Sequence, residues 1–181
     1  IEAIRGNPGK FNYASVGSGS PHHLFMEALK AELGLSIQHV PYKGTQAAIP
    51  DLLTGGVQMM FADATVAVPN IQAGKVTPLG TSSAKPTTLV PGVPPIAATV
   101  KGFDWEAWQG IVAPAATPPA IVAKLAAELQ RIQSTPEFRE QLRKFGMESA
   151  PPHTPAEFAA IVAAEQPRWQ KAVKDSGAKV D

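Results

Sequence analysis

The apolar positions of this chain repeat at two spacings, one of a strand feeding a helix and one of helices alone. Ile1 and Ile4 are spaced as on a helix, which Gly6 and Pro8 stop. Phe11 to Val16 alternates as a strand does, with Phe11, Tyr13 and Ser15 on one face. The turn Gly17-Ser18-Gly19-Ser20-Pro21 follows. Ser20 suits a helix N-cap and Pro21 the first helical position, where a missing N–H costs nothing. Leu24, Phe25, Ala28, Leu29 and Leu33 then line a helix that Gly34 ends.

The same order recurs. Ile37 to Tyr42 predicts a strand, Lys43-Gly44-Thr45 its exit turn, and Ile49, Leu52 and Leu53 a helix ending at Gly55-Gly56. Pro50 predicts a late start or a kink in that helix. Val57 to Ala62 is a nearly continuous apolar run of the kind buried in parallel sheets, and Asp63 stands at its end. A brief helix over 65–73, a strand from Val76 to Thr81, a proline-rich loop over 85–102 and a strand from Phe103 to Val112 complete this part. From residue 117 only helical spacing remains. Thr117-Pro118 predicts a cap for Val122, Leu125, Leu129 and Ile132; Thr135-Pro136 opens a second helix; Thr154-Pro155-Ala156-Glu157 is a capping box for a third, which Pro167 should bend.

Strand and helix in alternation imply parallel βαβ units, so the class is α/β, and the helical tail implies a composite architecture. With 44% hydrophobic and 17% charged residues, the 181-residue chain has material for a core. A net charge of +1 without a basic run argues against nucleic acid and anionic membranes. The absence of cysteine excludes disulfides, zinc–cysteine sites, iron–sulfur clusters and thiol nucleophiles. The opening Ile-Glu-Ala-Ile-Arg reads as the middle of a protein, and a processed or truncated chain is expected.

In open parallel sheets ligands bind beyond the C-terminal strand ends. Those ends carry Ser18, Gly19, Ser20 and His23 in the first turn, Tyr42, Lys43 and Gly44 in the second, and Asp63 after the third. Glycines and backbone N–H groups at a helix start form a carboxylate or phosphate cradle. The plain alternative is a turn with its cap, a surface Tyr42-Lys43-Gly44 loop, and an Asp63 that caps a helix. Gly17-x-Gly19 lacks the third glycine of a dinucleotide fingerprint, no Gly-Lys-Ser/Thr follows it, and no nucleophile elbow is spaced around Ser18. Ser20 or Ser18 with His23 and Asp63 would be a hydrolase arrangement, but a capping serine has its oxygen engaged. His22 and His23 diverge by about 100° on a helix, and His39 and His153 add no ligand spacing, so no metal or other cofactor is expected. On this reading His22 is solvated and His23 packs near the turn.

Three strings carry a resemblance. Tyr13-Ala14-Ser15-Val16-Gly17-Ser18-Gly19-Ser20-Pro21-His22-His23-Leu24, Val40-Pro41-Tyr42-Lys43-Gly44 and Asp51 through Asp63 resemble the Bug family of periplasmic receptors, relatives of the substrate-binding component of tripartite tricarboxylate transporters. Ile71-Gln72-Ala73-Gly74-Lys75, Gly110-Ile111-Val112-Ala113-Pro114 and Thr154-Pro155-Ala156-Glu157-Phe158 continue it in order. The resemblance implies a Venus-flytrap, type II-like periplasmic binding protein with a parallel-rich sheet, flanking helices and an incomplete domain 1. Residues 1–10 would end a domain 1 helix, 11–108 form domain 2, and 109–181 cross back as domain 1 helices. It further implies a periplasmic, non-enzymatic receptor. Such a receptor captures a small organic acid through backbone amides, small hydroxyls and bridging waters, and serves a membrane permease. Nothing here matches the family's opening strand and loop, so apolar faces over residues 118–145 should favour self-association. A hydrolase-like enzyme and a purely structural fragment are the alternatives.

Overall fold

The computed structural model describes residues 1–178. Helix α1 (Glu2–Arg5) leads to β1 (Asn12–Ser15), α2 (Pro21–Leu33), β2 (Gln38–Pro41), α3 (Thr45–Thr54), β3 (Met59–Met60) and α4 (Ala64–Gln72). A 3-10 turn spans Ile96–Ala98, and α5 (Pro119–Gln133), α6 (Pro136–Lys144) and α7 (Pro155–Ser176) follow. The chain divides into two compact units, Ile1–Glu106 with the segment that starts at Gln170, and Ala107–Trp169.

In the first unit the three strands are parallel in the order β2-β1-β3. Successive side chains of β1 point to opposite faces, and each face has its own helix. Tyr13 packs with Met26 of α2, Leu35 and Ile37, while Ala14 packs with Ala48 of α3 and Val57. The crossover from the central β1 to β2 and the one from β2 back past β1 to β3 run in opposite directions across the sheet, so right-handed connections place α2 and α3 on opposite faces. A ring cluster extends the packing: Phe25 meets Phe61 edge-on at 5.6 Å and Trp105 at 6.0 Å, and Phe61 stacks on Phe103.

Helix ends follow the local signals. Ser20 Oγ accepts the His23 N–H at 3.3 Å with Pro21 at the first helical position, and Gly34 ends α2 in the left-handed conformation at φ 62°. Pro50 neither delays nor ends α3, which starts at Thr45 and runs through it. One lost N–H bond is tolerated because Ala48 on the same helix is fully buried against the sheet.

The strand expectations hold less well. The run from Val57 to Ala62 contributes only Met59–Met60 to the ladder. At its start the Gln58 N–H donates to Asn12 O at 3.0 Å, but the Asn12 N–H is taken by the Gln58 side-chain Oε1 at 2.8 Å in place of a backbone carbonyl. No strand forms over Val76–Thr81. Pro78 removes a ladder donor, Leu79 is 79% exposed, and only Thr81 bridges, to Pro95. Nor is Phe103–Val112 a strand: the alternation buries Phe103 and Trp105, but Ile111 and Val112 are exposed.

In the second unit Thr117 does not cap; Pro118 precedes α5 with no side-chain cap bond. Thr135 Oγ does cap α6, accepting from the Phe138 N–H. The capping box is complete: the Thr154 N–H donates to Glu157 Oε2 at 2.7 Å and the Glu157 N–H to Thr154 Oγ1 at 3.2 Å. The Thr154 N–H, and after it the Thr154 hydroxyl, which donates to the same oxygen at 2.9 Å, hold the Glu157 carboxyl below its ordinary range. Near its start α7 presents Phe158, which meets Trp108 edge-on at 5.3 Å, and Glu165 Oε2 accepts both indole N–H groups, from Trp108 at 2.6 Å and Trp169 at 3.2 Å. Gly110 lies against the same ring, and a β-carbon there would stand 2.3 Å from Phe158 Cζ. Gly110→Ala is therefore expected to destabilise this unit by about 1–3 kcal/mol. Thermal unfolding unchanged from the parent chain would refute the close approach.

Candidate functional site

The three strand C-termini lie at one end of the sheet, each followed by the N-terminus of a helix. The ladder continues one step beyond β2, where the Tyr42 N–H donates to Ser15 O at 2.9 Å. The loops after β1 and β2 then leave toward opposite faces, which opens a crevice between them.

The first loop is largely held by bonds to itself. Gly17, at φ 126°, donates its N–H to Ser15 Oγ, and its carbonyl accepts the Ser20 hydroxyl at 2.7 Å. The Gly19 N–H donates to His23 Nδ1 at 3.1 Å. Ser18 is exposed, and its N–H and hydroxyl have no partner among the described residues; the His22 N–H is likewise free. The cradle thus offers three outward donors rather than a continuous row.

Asp63 ties the other loops to this one. Its Oδ2 accepts the Thr45 hydroxyl at 2.7 Å and its Oδ1 lies 3.2 Å from His22 Nε2, so the starts of α2, α3 and α4 meet on one carboxylate. Asp63 stands at the N-cap of α4, where its carbonyl accepts the Ala67 N–H at 2.9 Å but its side chain makes no cap bond. With Nε2 of His22 directed at Asp63, its Nδ1 is buried without a partner. His22, expected to be solvated, has a side chain only 14% exposed. Gly44 precedes α3 at φ 113° and Lys43 is exposed beside it. Tyr42 points its hydroxyl to Asp51 Oδ2 at 2.6 Å, a bond that raises the phenol above its ordinary range. Ser18, Gly19, Ser20, Lys43, Gly44 and Asp63 therefore stand at the strand ends, while the Tyr42 hydroxyl is engaged on α3.

His23 sits beneath the first loop, 4% exposed. Its ring stacks on His39 at 4.1 Å, and His39 stacks on Tyr13 at 4.9 Å. Tyr13 and His39 are ladder neighbours on parallel strands, which puts their side chains on the same face. The Tyr13 hydroxyl donates to Glu27 Oε1 at 2.5 Å and Lys30 Nζ to the same oxygen at 2.6 Å. Burial, reinforced by the Glu27 charge, raises the Tyr13 phenol far above its ordinary range. Burial lowers His23, against the pull of Glu27. Burial and the neighbouring His23 take His39 down to about 4. His39 and Glu27 are not among the residues the sequence points to, and Thr45 enters there only as the end of an exit turn. Glu27 is spaced i,i+4 from His23 and i,i+3 from Lys30, whereas His39 is placed by parallel register, which no local spacing encodes. Among the described residues no three His, Asp or Glu side chains are grouped to hold a metal, and no helix is long and apolar enough to cross a membrane.

Comparison with known proteins agrees with this architecture. The family model described as tripartite tricarboxylate transporter family receptor matches residues 1–178. A protein of Pseudomonas sp. (strain P51), the UPF0065 protein in the tcbD-tcbE intergenic region, is 37% identical over 175 residues, which is 96% of this chain and 52% of that protein. Among solved structures, R. palustris Rpa4515 with adipate superposes with a TM-score of 0.84 at 30% identity, covering 98% of this chain and 59% of its own. The periplasmic binding protein BugD gives 0.81 at 32%, covering 98% and 60%. The chain thus spans about half the length of the curated relative it matches, and its α/β fold is that of the periplasmic binding proteins. A parallel sheet with helix starts gathered at one end, matched from residue 1 to residue 178, makes this chain a member of the tripartite tricarboxylate transporter receptor family.

Proposed function

We infer that this chain supplies a carboxylate-binding wall of a periplasmic solute receptor, which captures a small organic acid and passes it to a membrane permease. The observation that carries the reading is the set of unspent donors, Ser18 N–H, Ser18 Oγ and the His22 N–H, at a strand end beside the starts of α3 and α4. Helix starts favour anions, and backbone donors need no arginine clamp. In this reading Ser18, Lys43, Gly44 and Asp63 face the ligand, and Gly19, Ser20, His23 and Tyr42 hold the loops that present them. The adipate bound in the R. palustris protein supports a dicarboxylate as the first ligand to test. The geometry favours binding over turnover. The Ser20 hydroxyl is spent on Gly17 O and the His23 N–H, and His23 Nδ1 on Gly19, so neither serine has a base beside it. The exposed Ile121, Leu125 and Phe145 support self-association as a second property of the isolated chain.

The test is a 1H–15N NMR titration of the chain with adipate in millimolar excess, with adipamide as the uncharged control. The amides of Ser18, His22 and Thr45 are expected to shift with adipate alone, and Ser18→Ala should weaken the response by about ten- to a hundredfold, the worth of one hydrogen bond to a charge. Equal shifts with adipamide, or shifts confined to other residues, would refute acid recognition here.

A further inference from the structure

The loop that offers the free donors is held from below by an acceptor that titrates. A neutral histidine can accept the Gly19 N–H on Nδ1 only while that nitrogen carries no proton, which places the ring proton on Nε2, 3.9 Å from Glu27 Oε1. Protonation of Nδ1 would set two N–H groups against each other at 3.1 Å and leave the loop without its inner anchor. We propose that His23, backed by His39, is a positioning residue that keeps the ligand loop in its receptive shape at neutral pH and releases it on acidification. The proposal rests on the reading of that loop as the ligand site, and it adds regulation to it.

Every charged or titratable group that faces the pair bears on it. Tyr13 of β1 stacks on His39, and Glu27 and Lys30 approach from α2. Glu27 attracts a proton to the rings, but its Oε1 already accepts from Tyr13 and Lys30, and Lys30 opposes the charge. His39 Nε2 contacts Ser15 Oγ at 2.5 Å, and Ser15 Oγ accepts the Gly17 N–H, so His39 reaches the same loop at its other end. With the rings 4.1 Å apart, a proton on one disfavours a proton on the other, and the two titrate as a coupled pair. The sign is fixed by burial. Both rings bind protons less readily in the folded chain than in the unfolded one, so their contribution to stability is complete above about pH 6.5 and declines as pH falls toward the folded-state values.

The experiment follows the bond itself in uniformly 15N-labelled chain, with no ligand present. At about pH 7.5 a through-hydrogen-bond coupling is expected between the Gly19 amide nitrogen and His23 Nδ1, with His23 in the Nε2–H tautomer. On acidification the coupling and the Gly19 amide shift should change with the His23 imidazole, while the amides of α3 stay in place. His23→Asn, which keeps an acceptor near Nδ1 and cannot be protonated, should hold the Gly19 shift constant across the range. In the adipate titration, about one pH unit below the midpoint of the Gly19 shift the parent chain should have lost at least about fivefold more affinity than His23→Asn, which shares whatever the protonation of adipate itself costs. Absence of the coupling at neutral pH, or a Gly19 shift that moves only when the whole spectrum collapses, would overturn the latch even if His23→Asn fails to fold. An intact coupling with no adipate response would leave the latch standing and count against the acid site instead.

Discussion

Tyr13→Ala is expected to cost the first unit about 3–5 kcal/mol, the loss typical of a large buried aromatic. Tyr13 is fully buried at the centre of β1, where it contacts Met26, Leu35 and Ile37 and stacks on His39. Removing it opens a cavity under α2 and leaves Glu27 Oε1 with the Lys30 bond and the more distant His23 Nε2. Against a typical domain stability of about 5–15 kcal/mol, that loss can unfold the unit at moderate temperature. Tyr13→Phe separates the two contributions. It keeps the ring and loses only the hydroxyl bond to Glu27, for about 1.5 kcal/mol. Urea midpoints measured on both variants decide the matter, and an alanine variant no less stable than the phenylalanine one would show that the ring is not the keystone described.

Gly17→Val is expected to remove acid binding by tenfold or more and to cost about 2–3 kcal/mol. The space beside Gly17 is open, so the cost is not a clash. It comes from φ 126°, a backbone conformation that a β-branched residue does not hold. Rotation to negative φ swings the N–H away from Ser15 Oγ and the carbonyl away from the Ser20 hydroxyl. The loop then loses both ends of its frame, and Ser18 with it. The adipate titration and a thermal melt on the same sample measure the two effects. A variant that binds adipate like the parent would show that the loop tolerates other shapes.

The features legible in the sequence are those whose partners are close along the chain. Ser20 caps a helix three residues away, Gly34 ends it, and Thr154 and Glu157 bond each other across one turn. Strand ends at Ser18, Gly44 and Asp63 were legible because glycines and polar residues punctuate apolar runs. The strands expected at Val76–Thr81 and Phe103–Val112 failed for want of ladder partners, which no single segment can announce. The same holds at the site. Asp63 bonds residues 18 and 41 positions away, and His39 meets Tyr13 through parallel register. Sequence placed Asp63 at the crevice but could not show that it fastens three helix starts together.

The arrangement of the three tryptophans gives each unit its own optical signature. Trp105 is 9% exposed in the ring cluster of the first unit, whereas Trp108 and Trp169 both donate to Glu165 in the second. An indole among apolar rings emits toward the blue, and one hydrogen-bonded to a carboxylate near solvent emits toward the red. Loss of blue emission therefore marks melting of the sheet unit and a change in red emission marks separation of Trp108 from α7, so one fluorescence scan reports whether the two units unfold together or in turn.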